Sequence, residues 1–156
     1  MLSLSRFFRI NLKQNTAVVT LKEEIDHVNA YLAIEKARFA ERLQVTIKCD
    51  DAAMSALLPS FTLQPLVENA VKHGIAQRIE GGHLTLNVRC TTDNHIHILV
   101  EDNAGLYKPK KEQHAGLGMD IVDKRLIHQF GQQAGLVIEC RTNQFTRMSF
   151  SIPHTH

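Results

Sequence analysis

Four polar side chains of different chemistry crowd into little more than one helical turn: Glu68, Asn69, Lys72 and His73. Wound at about 100° per residue, the stretch 63–74 puts Leu63, Leu66, Val67, Ala70, Val71 and Gly74 on one broad face and these four on the other. An amide oxygen such as that of Asn69 is a hard, neutral ligand suited to Mg²⁺, which keeps most of its waters and takes further oxygens from phosphates. Lys72 and His73, three and four residues on, stand beside Asn69 and can meet phosphate oxygens. A solvated polar helix face would carry the same residues, so the cluster gains meaning only beside the C-terminal half of the chain.

Two pieces of that half supply it. Asp102 ends a segment in which Ile96, Ile98, Val100 and Asp102 share one strand parity, so its carboxylate is expected on the covered side of a sheet. A buried acid needs donors, and the exocyclic amino group of adenine is one. An Asp-Asn pair that simply turns the chain at a strand end is the alternative. Gly116-Leu117-Gly118 then lies between a loop and a helix, where glycines let backbone N–H groups and a helix dipole approach an anion.

The elements that must position these groups are legible in outline. Thr20 and Glu23 form a capping box, followed by a helical stripe of Leu21, Ile25, Val28, Leu32 and Phe39 up to about residue 40. Residues 43–50 alternate as a strand, and 51–60 read as a loop. Ser60 or Thr62 is the expected N-cap of the polar-faced helix, Pro65 must sit in its first turn, and Gly74 is expected to stop it. Residues 83–90 and 95–102 read as a hairpin, 103–117 as a mobile loop, 118–130 as a helix, and 136–141 and 145–152 as strands. Helices that must all cover one sheet face give an α+β two-layer sandwich with a mixed, mostly antiparallel sheet.

The 156 residues are expected to form one domain, 20–156, preceded by a linker remnant at 1–19. Hydrophobic content of 44% and charged content of 22% are those of an ordinary globular chain, and no apolar stretch reaches membrane-spanning length. A net charge of +2, with no long basic run, gives no reason to expect a nucleic-acid partner. Cys49, Cys90 and Cys140 continue the apolar alternation of their strands and read as reduced core residues of a cytoplasmic protein. His95 and His97, like His154 and His156, pair only two ligands each and give no metal centre.

The three pieces, in this order and separation, resemble the N box and two glycine boxes of the histidine-kinase ATP-binding domain. That domain belongs to the superfamily shared with type II topoisomerases, mismatch-repair ATPases and heat-shock chaperone ATPases. The wording of residues 63–74 is similar to the LytS-like sensor kinases, as are Glu35-Lys36-Ala37-Arg38-Phe39 with Arg42-Leu43, the run from Gly116 to Leu126, and Thr146-Arg147. The resemblance implies ATP and Mg²⁺ as cofactors. It places Asn69 on Mg²⁺, Lys72 and His73 on phosphates, and Asp102 on the adenine amino group. Gly105 would pass close to the base, Thr146 would stand behind it, and Gly116, Leu117 and Gly118 would line the triphosphate. Residues 106–115 would form a lid, and Glu68 would orient the reacting groups.

It further implies transfer of the γ-phosphoryl group to a histidine upstream of this chain and then to a response regulator. The full-length protein would be membrane-anchored and dimeric, with this part facing the cytoplasm. Three positions depart from the family pattern. Ala104 stands within Asp102-Asn103-Ala104-Gly105-Leu106, where a glycine is usual and where a methyl group disfavours positive φ. Pro65 occupies the place of the acid that activates water in the hydrolytic members, which disfavours hydrolysis. None of the nine histidines has the acceptor's usual setting. A serine kinase of the anti-sigma type, or a nucleotide-binding module without chemistry, would share the same fold.

Overall fold

The computed structural model describes residues 17–108 and 118–154. Most of the expected linker, residues 109–115 of the expected lid, Gly116, Leu117 and His156 lie outside them. Helix α1 (Leu21–Phe39) opens on the reciprocal pair announced by the sequence. The Glu23 N–H donates to Thr20 Oγ1 at 3.2 Å, and the Thr20 N–H donates to Glu23 Oε1 at 2.9 Å. Its inner stripe of Leu21, Ile25, Val28 and Leu32 is buried, and so are two acids on the same face, Glu24 and Glu35.

One pairing is not legible in the sequence. Strand β1 (Val18–Thr20) runs antiparallel to β3 (Leu57–Pro59), within stretches expected to be linker and loop. Three-residue strands show no periodicity, so no pattern announces them. Between them comes β2 (Leu43–Cys49), which pairs parallel with β4 (Gly82–Cys90). From there the main sheet is antiparallel: β4 pairs with β5 (His95–Asp102), β5 with β7 (Phe145–Pro153), and β7 with β6 (Val137–Arg141). The order across the sheet is β2-β4-β5-β7-β6.

Alternate residues of the three central strands, among them Leu84, Leu86, Ile96, Ile98, Met148 and Phe150, point into one core. Helices α1, α2 (Leu63–Lys72) and α3 (Met119–Phe130) close over it with Leu63, Leu66, Val67, Val122 and Leu126. The other face carries Thr85, Asn87, Arg89, His95 and His97, half-buried or exposed. This is the expected two-layer α+β sandwich.

One expectation is corrected here and another refined. Cys49 and Cys90 are half-buried free thiols, but Cys140 is exposed, because it lies on the edge strand β6. The N-cap residue of α2 is Thr62, one of the two expected, but its side chain does not do the capping. Thr62 Oγ1 donates to the Pro59 carbonyl at 2.5 Å and makes no cap bond. Glu24 of α1 caps the helix instead, from far off in sequence. The Phe61 N–H donates to its Oε2, and the Thr62 and Leu63 N–H groups both donate to its Oε1, all at 2.9 Å. A full carboxylate at three amides outcompetes a hydroxyl at one. It also secures Phe61 at φ +61, a left-handed conformation for a bulky residue. Pro65, third residue of α2, lies in the first turn, where no intrahelical N–H bond is lost.

Candidate functional site

Helix α2 buries its apolar face and turns Glu68 and Asn69, half-buried, and Lys72 and His73, exposed, the other way. Glu68 is already engaged. The Gln64 side-chain amide donates to its Oε2 at 2.9 Å, and Lys72 Nζ lies 3.8 Å from its Oε1. At the helix end the His73 N–H donates to the Asn69 carbonyl at 3.0 Å.

Gly74 does stop the helix, though not by taking up a positive φ. What it supplies is room. A Cβ there would stand 2.6 Å from the Ala70 carbonyl oxygen and 3.1 Å from Asp102 Oδ2. The last turn of α2 thus rests almost directly on the acid that ends β5.

Asp102 is 3% exposed and points to the covered side, as its parity requires. Its Oδ1 accepts from the Ala104 N–H at 2.8 Å and the Gly105 N–H at 3.1 Å, so it also turns the chain. No donor among the described residues reaches its Oδ2. Burial pushes the Asp102 carboxyl above the usual aspartate range, against the opposing pull of the two amides. Directly across the sheet, Thr146 of β7 pairs with Asp102 in register and is buried, and its Oγ1 donates to Cys140 Sγ at 3.4 Å.

Three further residues, Asn103, Arg78 and Arg42, hold the turn after this acid in place. The Asn103 side-chain oxygen accepts from the His83 N–H at 2.8 Å, which pins the turn to the start of β4. Arg78 Nη1 donates to the Asn103 carbonyl at 2.7 Å, and Arg42 Nη2 donates in turn to the Arg78 carbonyl at 2.8 Å. Arg42 precedes β2 and Arg78 comes after α2, so the turn is tied to both layers. Arg42 lies just beyond the helical stripe that ends at Phe39, but nothing in its spacing forecasts the partner.

The glycine-loop positions fall out differently from expectation. Ala104 is buried but does not adopt positive φ, so its methyl group imposes no backbone strain. The left-handed residue is Gly105, at φ +65. Its absent side chain makes room for the β6–β7 turn. A Cβ would lie 2.6 Å from the Gln144 nitrogen and 2.8 Å from that of Asn143, whose N–H donates to the Gly105 carbonyl at 2.9 Å. Gly118, last of the second glycine pair, is the N-cap of α3 with extended backbone and leaves the first turn of that helix without a side-chain cap.

Asp102, Thr146 and Gly74, just past the end of α2, therefore come together, while Gly118 caps the head of α3. Among the described residues no cluster of three or more His, Cys, Asp and Glu side chains is arranged to hold a metal ion. Asn69 is a neutral amide, the donor type suited to Mg²⁺ that is otherwise held by water and phosphate oxygens. A buried acid with one oxygen lacking a donor fits an amino group arriving from a ligand.

The fold is that of the catalytic domains of histidine kinases. The catalytic domain of histidine kinase ThkA superposes with a TM-score of 0.62 at 17% identity, covering 90% of this chain and 97% of that one. The histidine kinase domain of the Erythrobacter litoralis EL346 blue-light activated kinase gives 0.62 at 18% identity, over 86% of this chain and 61% of that one.

Residues 54–156 match the family described as "Histidine kinase-, DNA gyrase B-, and HSP90-like ATPase", and the chain belongs to it. Residues 1–43 match a second family, described as "Histidine kinase". The sensor histidine kinase BtsS of Escherichia coli K12 is 48% identical over 150 residues, 96% of this chain and 26% of the relative. The sensor histidine kinase/phosphatase LytS of Staphylococcus aureus MRSA252 is 36% identical over 160 residues, 94% of this chain and 27% of the relative. The chain thus spans about a quarter of the length of these curated relatives.

Proposed function

We propose that this chain is the ATP-binding catalytic part of a sensor histidine kinase. The observation that carries the reading is Asp102: a carboxylate 3% exposed, with Oδ1 used by its own turn and Oδ2 left without a donor among the described residues. The adenine amino group completes that set, with Thr146 on the adjacent strand behind the ring. Asn69 holds Mg²⁺, while Lys72 and His73 meet phosphate oxygens. Lys72 must give up Glu68 to do so, and at 3.8 Å across an exposed face that pair is weak. Gly118, the N-cap of α3, with Gly116 and Leu117 before it in sequence, would meet the triphosphate.

ATP supplies a transferable γ-phosphoryl group. Glu68, freed from Lys72 but still oriented by Gln64, is the acid placed to align an incoming acceptor. Pro65 carries no side chain that could activate water, which favours transfer to a protein group over hydrolysis. That acceptor is a histidine of another segment of the full-length protein, from which the phosphoryl group passes to a response regulator. The full-length protein is membrane-anchored and dimeric, with residues 20–156 as its cytoplasmic catalytic domain behind a linker at 1–19. The serine-kinase and pure binding readings lose support beside relatives named sensor histidine kinases along nearly the whole chain.

Thermal unfolding with and without ATP, GTP and Mg²⁺ tests the core of this reading. ATP with Mg²⁺ raises the Tm, and GTP, which lacks the amino group at that place on the base, raises it far less. Equal shifts with both nucleotides, or none, overturn it.

A further inference from the structure

The connection from α2 to β4 is clamped between the end of α1 and the turn after Asp102. On one side Gly81, at φ +73, runs so close that a Cβ would collide with the Arg42 carbonyl. On the other, a Cβ on Gly82 would meet Asn103 Oδ1 at 2.5 Å. Arg78 lies between the two. Its Nη1 donates to the Asn103 carbonyl at 2.7 Å, and its Nε and Nη2 donate to Glu80 Oε2 at 3.2 and 2.8 Å. With both edges of the planar fork engaged, the guanidinium is held towards Asn103. The Arg78 carbonyl accepts Arg42 Nη2 at 2.8 Å, and the Arg42 guanidinium itself lies 5.4 Å from the centroid of the Phe39 ring, at the end of α1. A relay therefore runs from Phe39 through Arg42 and Arg78 to the backbone one residue past Asp102.

We propose that Arg78 and, behind it, Arg42 are positioning residues for base recognition, fixing the turn so that the Asp102 carboxylate meets the adenine amino group and making ATP affinity depend on the end of α1. The inference rests on the nucleotide reading above. A group that must meet a ligand donor has to be held within about 0.5 Å, and that precision comes from the residues supporting it. Both arginines act on the backbone after Asp102 and not on its carboxylate. Arg78 has an electrostatic effect as well: burial pushes the Asp102 carboxyl up, and the Ala104 and Gly105 amides and the Arg78 charge pull against it. The phosphate end is assigned to other residues, Asn69 and the head of α3, so the relay bears on the base and not on the triphosphate.

The test titrates ATP, GTP and inorganic triphosphate, each with Mg²⁺, against the wild type, Arg78→Ala, Arg78→Lys and Arg42→Ala. Arg78→Ala should bind ATP roughly tenfold more weakly and hold GTP and inorganic triphosphate as before, so the preference for ATP over GTP narrows by the same factor. Arg78→Lys still offers a charged donor and should recover part of the loss. Arg42→Ala, one link further out, should lose about two- to fourfold, and adding it to Arg78→Ala should cost little more, because both cut the same relay. An unchanged ATP-over-GTP preference in Arg78→Ala, or equal losses of ATP and inorganic triphosphate, overturns the positioning role and leaves the nucleotide reading standing. Full ATP affinity in Arg42→Ala overturns the link to α1. If Arg78→Ala does not fold, Arg78→Lys and Arg42→Ala decide by the same ratio. If the wild type binds ATP no better than GTP, both readings fall together.

Discussion

Two carboxylates in this protein are almost equally inaccessible, Glu24 at 2% and Asp102 at 3% exposure, yet they are satisfied very differently. Glu24 accepts three backbone N–H groups with both oxygens, all belonging to the entry of α2. Asp102 spends one oxygen on its own turn, and no donor among the described residues reaches the other. A fully bonded buried acid holds architecture together, whereas a half-bonded one costs stability and persists where a ligand completes it. The contrast sets the structural acid Glu24 apart from Asp102, to which the proposed function gives a binding role.

The largest expected effect comes from breaking the satisfied side. Glu24→Ala leaves three amides unbonded in the interior and removes the carboxylate that holds Phe61 at positive φ. Stability in urea should fall by about 3–5 kcal/mol, and Glu24→Gln, with a single acceptor oxygen, should recover part of it. A loss under about 1 kcal/mol would mean that water replaces the acid and that the two carboxylates do not differ as described.

Asp102→Asn tests the other side. The amide keeps an oxygen for Ala104 and Gly105 and puts an NH₂ where a ligand donor is wanted. Stability without nucleotide should change by less than about 1 kcal/mol, and ATP affinity should drop about ten- to a hundredfold, equivalent to roughly 1.5–3 kcal/mol. The pH dependence comes from the raised Asp102 carboxyl. A group that holds its proton more tightly when folded contributes stability below its unfolded pKa and loses that contribution as pH rises through its folded pKa. The wild type should therefore lose stability relative to Asp102→Asn as pH climbs from the ordinary aspartate range through the higher folded value. Chemical denaturation across acidic to neutral pH measures it. A constant difference would place Asp102 in a well-solvated or fully paired setting.

How much of this contrast is legible in the sequence depends on the range of the interaction. Period-two alternation fixes the face of Asp102, because parity is a local property of β5 and survives any packing. The capping box of α1 and the first-turn place of Pro65 are equally local and hold as expected. The role of Glu24 is hidden because its partners lie 37 to 39 residues away. One signal exists: Glu24 and Glu35 fall within the apolar stripe of α1, where an acid must find a partner or a purpose. Cys140 departs from expectation for the opposite reason. Alternation tells which face a residue takes but not whether a helix reaches far enough to cover it, and the thiol on the outer strand β6 stays exposed. Gly74 and Gly105 stand out by their positions, but atoms that crowd them, Asp102 Oδ2 and the Asn143–Gln144 backbone, come from a strand and a turn distant in sequence.

The glycine loop offers a smaller and sharper comparison between adjacent residues. Gly105→Ala puts a side chain at φ +65 and against the Asn143 and Gln144 nitrogens, and should cost about 1–3 kcal/mol while loosening the β6–β7 turn. Ala104→Gly only restores the residue usual at that place in the family. It removes one buried methyl group and adds freedom to the unfolded chain, for a loss of about 1 kcal/mol and no gain in ATP affinity. Thermal unfolding and nucleotide titration of the pair settle which of the two the loop depends on. Tighter ATP binding by Ala104→Gly would show that the methyl group does obstruct the site.

The smallest effect concerns a third buried polar group, Tyr31 on the inner side of α1. Its ring packs against the core, and its hydroxyl is buried without a hydrogen-bond partner among the described residues. Burial pushes the phenol well up, and the carboxylates of Glu35 and Glu68 push it further, so it stays protonated at any ordinary pH. On the Glu24–Asp102 scale it stands beyond Asp102, with no bond to any described residue. Tyr31→Phe keeps the ring and removes only the unpaired oxygen, so it should stabilise the chain by about 0.5–1.5 kcal/mol. The urea midpoint should rise with the slope unchanged, and ATP affinity should stay as it was, because Asp102 and Asn69 are untouched. A fall in stability would show that the hydroxyl is bonded through water or to one of the two acids, which moves Tyr31 to the structural class of Glu24. Unchanged folding with weakened ATP binding would move it to that of Asp102, with Glu68 as the group through which it acts.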